Sequence, residues 1–83
     1  MKSVTYSKAS LKTLRRMPAN TAKTVTDKIA LYASDPAALA NNVIALRGSP
    51  LIRLRVGDWR VIMSDDDVVL DVVKIAPRSG AYD

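Results

Sequence analysis

The chain has 83 residues, 48% hydrophobic and 25% charged, which is the composition of one small folded domain with a modest core and not of a disordered segment. It has no cysteine and no histidine, and its 8 acidic residues are all aspartate. Disulfides, thiolate metal sites and imidazole acid–base chemistry are thereby excluded, and neither a metal nor a cofactor is expected. The net charge of +5 favours encounter with a polyanion or an acidic protein. No apolar run approaches the ~20 residues that span a bilayer, and the opening residues lack the apolar core of a secretory signal. The expectation is a cytoplasmic protein that does not engage membranes.

In chain order, Lys2–Tyr6 alternates weakly and reads as a first strand. Ser7 is a candidate N-cap. Leu11, Leu14 and Met17 then form one apolar stripe of a helix over Lys8–Met17, which Pro18 ends. A second helix is predicted over Thr21–Ser34, with Ala22, Val25, Ile29 and Tyr32/Ala33 on its apolar face. The short link makes the two helices an antiparallel hairpin. Asp35-Pro36 closes the second helix, and the Ala- and Asn-rich segment Ala37–Ile44 is either helical turn or loop.

From Leu51 the period changes to two. Leu51–Val56 and Trp59–Ser64 are predicted strands joined by a turn at Gly57-Asp58, and Asp65-Asp66-Asp67 forms a second turn. Val68–Ala76 is apolar at nearly every position and reads as a central strand buried on both faces; Pro77 ends it. The result is an α+β fold, one domain over residues 1–83, with a helix pair on one face of a mixed sheet. Leu14, Val25, Ile29, Leu54, Val61, Val69 and Val72 are its expected core.

Of 13 basic residues, Lys2, Lys8, Lys12, Arg15, Arg16, Lys23 and Lys28 precede the second half of the chain. They form either an ordinary solvated helix face or a surface that reads phosphates. Arg53 and Arg55 are two apart on a strand, so they share a face about 6.6 Å apart. The Gly57-Asp58 turn can bring Arg60 to the same face. Such a cluster of like charges is either a solvent-facing strand with snorkelling side chains or a site where an anion relieves the repulsion. In the tail, Arg78 is followed by Tyr82, which either packs or stacks on an unpaired base.

Leu46-Arg47-Gly48 and the stretch Arg53-Leu54-Arg55-Val56-Gly57-Asp58-Trp59-Arg60-Val61-Ile62 resemble the central signature of RelE/ParE toxins. The opening Val4-Thr5-Tyr6-Ser7-Lys8 and the closing Ile75-Ala76-Pro77-Arg78-Ser79-Gly80-Ala81-Tyr82 are similar to the ends of the same family. The resemblance implies a βααβββ fold, a type II toxin–antitoxin system and an acidic antitoxin that wraps the toxin, with the free toxin monomeric. For the RelE-like branch it implies metal-independent cleavage of messenger RNA on the ribosome, by attack of a ribose 2′-OH on the adjacent phosphate. The catalytic roles then fall on Arg53, Arg55, Arg60, Arg78 and Tyr82, with Lys8, Lys12, Arg15, Arg16 and Arg47 as contacts to RNA or the ribosome. Both paired strand positions are Arg, where some members carry Lys. A guanidinium keeps its proton, so the base is unassigned, with ribosomal RNA groups and Tyr82 as candidate contributors. A ParE-like toxin that poisons DNA gyrase by protein contacts is the alternative from the same resemblance.

Overall fold

The computed structural model describes residues 2–78. Strand β1 (Ser3–Tyr6) leads into helix α1 (Lys8–Arg16) and helix α2 (Ala19–Ser34). A 3-10 segment over Pro36–Asn42 follows, then β2 (Val43–Ala45), β3 (Leu51–Val56), β4 (Trp59–Asp65) and β5 (Val69–Pro77). The five strands form one sheet in the order β1-β5-β4-β3-β2. Among the described residues only the β1–β5 pair is parallel. This is the expected α+β architecture with one addition: the segment left open between turn and loop supplies both the 3-10 turn and the edge strand β2.

Local chemistry fixes the helix ends. The Ser7 hydroxyl accepts from the Ser10 amide at 3.0 Å, as an N-cap should. Ser7 and Ser10 hydroxyls also donate to the Val73 and Val72 carbonyls at 2.8 and 3.0 Å, which fastens the start of α1 to β5. Arg15 and Arg16 in the last turn suit the negative end of the helix dipole. Helix α2 starts at Ala19, ahead of the expected Thr21, because the Pro18 carbonyl already accepts the Ala22 amide at 3.0 Å.

The core lies between the helices and one sheet face. Val25 and Ile29 of α2 meet Leu54 of β3, Val61 and Met63 of β4, and Leu70 and Val72 of β5, all fully buried. Two expected core residues sit differently. Leu14 packs at the rim, half-buried. Val69 is half-buried because β5 starts there in register with Ser3, which hands the core-facing parity to Leu70 and Val72.

The strand buried on both faces is β4, not β5 as its apolar run had suggested. Four successive β4 residues, Arg60 to Met63, are buried, whereas Asp71 and Val73 of β5 are exposed. Position in the sheet decides this, since β4 has two strands on either side. A bulge at Ile62/Met63 shifts the β4–β5 register, so the two halves of β5 meet β4 on different footings.

Candidate functional site

The sheet's second face, away from the helices, gathers the strand cations. Arg55 stands directly opposite Arg60, and Arg53 opposite Ile62. On the other flank of β4, Lys74 is opposite Ile62 and Ala76 is opposite Arg60. Directly paired residues project to the same side, and the intervening Leu54, Val61 and Ile75 belong to the helix-side core. Arg53, Arg55, Arg60 and Lys74 therefore form one basic patch. The Arg78 amide donates to the Asp58 carbonyl at 2.8 Å. This places Arg78, exposed and two residues past Ala76, beside the β3–β4 turn at the end of the patch.

The patch has an apolar floor. Ile62 and Ala76 are each 6% exposed yet stand outside the helix-side core. Their neighbours across the strands are the long Arg53, Lys74 and Arg60 side chains, whose aliphatic stems can cover them. Arg60 is itself buried, and its Nη1 donates to the Gly57 and Trp59 carbonyls at 2.9 and 3.0 Å. Gly57 holds φ +57°, the left-handed conformation that a two-residue hairpin turn requires. The turn thus fixes the guanidinium before any ligand arrives. Arg55 is exposed, and Arg53 is half-buried with its Nη1 secluded from solvent.

Beyond Arg53, towards the β2 edge, Asn41, Asn42, Ile44, Arg53 and Arg55 line a depression of about 110 Å³. At the far end of the same face Asp71 accepts a hydrogen bond from the Thr5 hydroxyl at 2.8 Å. A second and larger cleft, about 350 Å³, lies on the helix side between the start of α2 and the β3–β4 turn, where Asn20, Thr24, Asp58 and Trp59 line it.

The structure brings Arg53, Arg55, Arg60 and Arg78 together. Tyr82 lies outside the described residues. Lys8, Lys12, Arg15 and Arg16 are exposed on α1, whose Leu14, with Met17 just past its end, packs against the core, so they form a separate surface on the helix side. Arg47, in the β2–β3 connection, is at the opposite end of β3 from Arg55, roughly 13 Å of strand away. Lys2 leaves the basic surface altogether: its ammonium is 2.7 Å from Asp65 and 5.6 Å from the Tyr32 ring centroid. Lys74 was missed by reading β5 as apolar at nearly every position and buried on both faces; its signal is the two-residue spacing Lys74, Ala76, Arg78. The asparagines were missed because their segment had no period.

Among the described residues no group of three or more His, Cys, Asp or Glu side chains is placed to hold a metal ion. Among the described residues no helix is long and apolar enough to cross a membrane. The Tyr6 and Tyr32 phenols are pushed above their ordinary value by burial, and both rings belong to the helix side. What the face can do is bind a phosphate through forked donors and stabilise charge that develops on it.

Residues 4–82 match the family model described as the ParE toxin of the type II toxin–antitoxin system parDE. Among solved structures, a chain of the archaeal RelE–RelB complex from Pyrococcus horikoshii OT3 is 28% identical, covering 96% of this chain and 98% of its own with a TM-score of 0.77. A chain of the toxin–antitoxin complex RelBE2 from Mycobacterium tuberculosis is 16% identical over 93% of this chain and 98% of its own, TM-score 0.78. YafQ from E. coli is 15% identical over 100% of both chains, TM-score 0.72. The last two are likenesses of fold. No curated protein sequence matches the chain.

Proposed function

The chain belongs to the ParE toxin family of type II toxin–antitoxin systems, and we propose that this toxin acts by cleaving messenger RNA on the ribosome. The observation that carries the reading is the strand register that sets Arg55 opposite Arg60 and groups Arg53 and Lys74 with them on an open face. Like charges at that spacing are stabilised by a bridging anion, and a phosphodiester fits the fork geometry.

In this reading the ribose 2′-OH attacks the adjacent phosphorus, the P–O5′ bond breaks, and a cyclic phosphate and a free 5′-hydroxyl result. Arg53 and Arg55 orient the phosphate. Arg60, fixed by the turn, and Arg78 offset the negative charge of the transition state. Lys74, on the same face, adds an ammonium that can meet a phosphate as a point charge, and proton transfer is left to Tyr82 and ribosomal RNA groups. No step calls for a metal or cofactor. Lys8, Lys12, Arg15, Arg16 and Arg47 hold the toxin to ribosomal RNA from outside the site. The partner is an acidic antitoxin, in keeping with the archaeal RelE relative, which was solved in complex with RelB.

The family match to a ParE toxin favours a second reading, a poison of DNA gyrase that works by protein contact. Two assays on the purified toxin separate them: cleavage of mRNA in a programmed ribosome with an open A site, and gyrase supercoiling. The proposal expects a cut message and unimpaired supercoiling. An intact message with supercoiling blocked replaces it with the gyrase reading.

A further inference from the structure

The basic patch continues into a feature that phosphate chemistry does not use. The depression at the β2 edge is lined by Asn41, Asn42, Ile44, Arg53 and Arg55. It is shared with the patch, because Arg53 and Arg55 belong to both, and Ile44 stands directly opposite Arg53. From the β4 column that carries Arg60 to the β2 column that carries Ile44 is two strand spacings, roughly 10 Å.

The side chains here are of a different chemical kind from those around Arg60. Each asparagine offers two donors and an acceptor on one planar amide, the group that pairs in two-pronged fashion with a base edge. Ile44 is 48% exposed, an apolar surface at the rim of an otherwise polar face. The guanidinium planes of Arg53 and Arg55 can stack on a flat ring as well as grip a phosphate. At about 110 Å³ the depression is well below the roughly 300 Å³ at which pockets for drug-sized ligands begin. It suits one flat ring, seated partly in the open. Apolar contact, stacking planes and amides at the rim are together what single-stranded RNA recognition requires.

We propose that this depression is a nucleobase subsite: it seats the base of a nucleotide adjoining the phosphate held by Arg55 and Arg60, and Asn41 and Asn42 read that base's edge. The inference rests on the ribonuclease reading above. It makes the 3-10 segment and β2 the specificity element of the toxin and the β3–β5 face its chemical element.

The test is cleavage of a set of messages that differ at single positions around the cut, in programmed ribosomes, by wild type, Asn41→Ala, Asn42→Ala, Ile44→Ala and Lys74→Ala. Asn41 and Ile44 are exposed and Asn42 half-buried, so thermal melting should report folded variants. Wild type should prefer one base at one position. Asn42→Ala or Asn41→Ala should shrink that preference about tenfold, the worth of one good base-edge contact. Ile44→Ala should weaken it at the same position. Lys74→Ala should lower cleavage of every message by a common factor and leave the preference intact. A wild type that cuts without preference, or asparagine variants with the wild-type preference, would overturn the subsite and leave the ribonuclease standing. A wild type that cuts no message removes the ribonuclease and the subsite with it.

Discussion

The two faces of β3 and β4 are built from alternate residues of the same strands, and they differ in what they can lose. On the helix side, Leu54, Val61 and Met63 are fully buried among apolar neighbours. On the other side, Arg53, Arg55 and Arg60 alternate with them, and Arg60 and Ile62 are buried there although they stand outside the helix-side core. One face contributes stability through area removed from water. The other concentrates like charge that folding by itself does not require. A strand of period two lets both demands be met without compromise at any position. Substitutions on the two faces should therefore separate stability from activity.

The largest expected effect is on the helix side. Leu54→Ala or Ile29→Ala empties a fully buried site and should cost about 2–5 kcal/mol in denaturant unfolding. The surviving folded fraction should still cleave at the wild-type rate. Arg60→Ala comes next. Losing a fixed donor to a developing anion should lower single-turnover cleavage by about 100- to 1000-fold. Its two bonds to the turn add a stability loss of about 1–2 kcal/mol. Arg60→Lys should recover part of the rate, since it keeps charge and loses the fork.

A smaller effect is expected at the Lys2–Asp65 pair. The hydrogen bond from Lys2 holds the Asp65 carboxyl below its ordinary value of 3.8, and the bond to Asp65 raises Lys2 above 10.5. The native state therefore binds fewer protons at Asp65 than the unfolded chain does. The stabilisation is complete above the ordinary carboxylate value and lost as pH falls through the depressed one. Lys2 loses its share only as pH rises through its own raised value. Asp65→Asn should remove about 1 kcal/mol at neutral pH and flatten the acid limb of a stability–pH curve. Cleavage per folded molecule should not change, because the pair lies away from the basic face. The smallest effect belongs to α1. Lys12→Ala should leave melting unchanged, weaken ribosome association, and reduce the salt slope of binding by about one.

The outline of the fold was legible because period and punctuation agreed. The Leu11, Leu14, Met17 stripe, Pro18, Gly57-Asp58 and the aspartate turn each mark an element or its end. The hydroxyl of Ser7 does what an N-cap does. The site was legible as far as strand spacing reaches: two arginines on β3 and a tight turn suffice to put Arg60 opposite Arg55. Three things were hidden. Strand β2 is only three residues long, too short to show a period, so Asn41 and Asn42 had no address on the sheet. The bulge at Ile62/Met63 depends on packing and leaves no mark in composition, so the register of the first half of β5 against β4 was not readable. The apolar run of β5 suggested burial on both faces, yet strand order decides burial, and order is a property of the whole chain.

Leu54 and Arg55 are neighbours in sequence that face opposite ways, one fully buried and one exposed. The most direct measurement takes Leu54→Ala and Arg55→Ala side by side, with unfolding free energy and single-turnover cleavage in a programmed ribosome recorded for each. Leu54→Ala should lose about 2–5 kcal/mol with its folded fraction fully active. Arg55→Ala should stay within about 0.5 kcal/mol of wild type and lose most of its cleavage. An Arg55→Ala protein that is as stable as wild type and cuts at the wild-type rate would contradict the account.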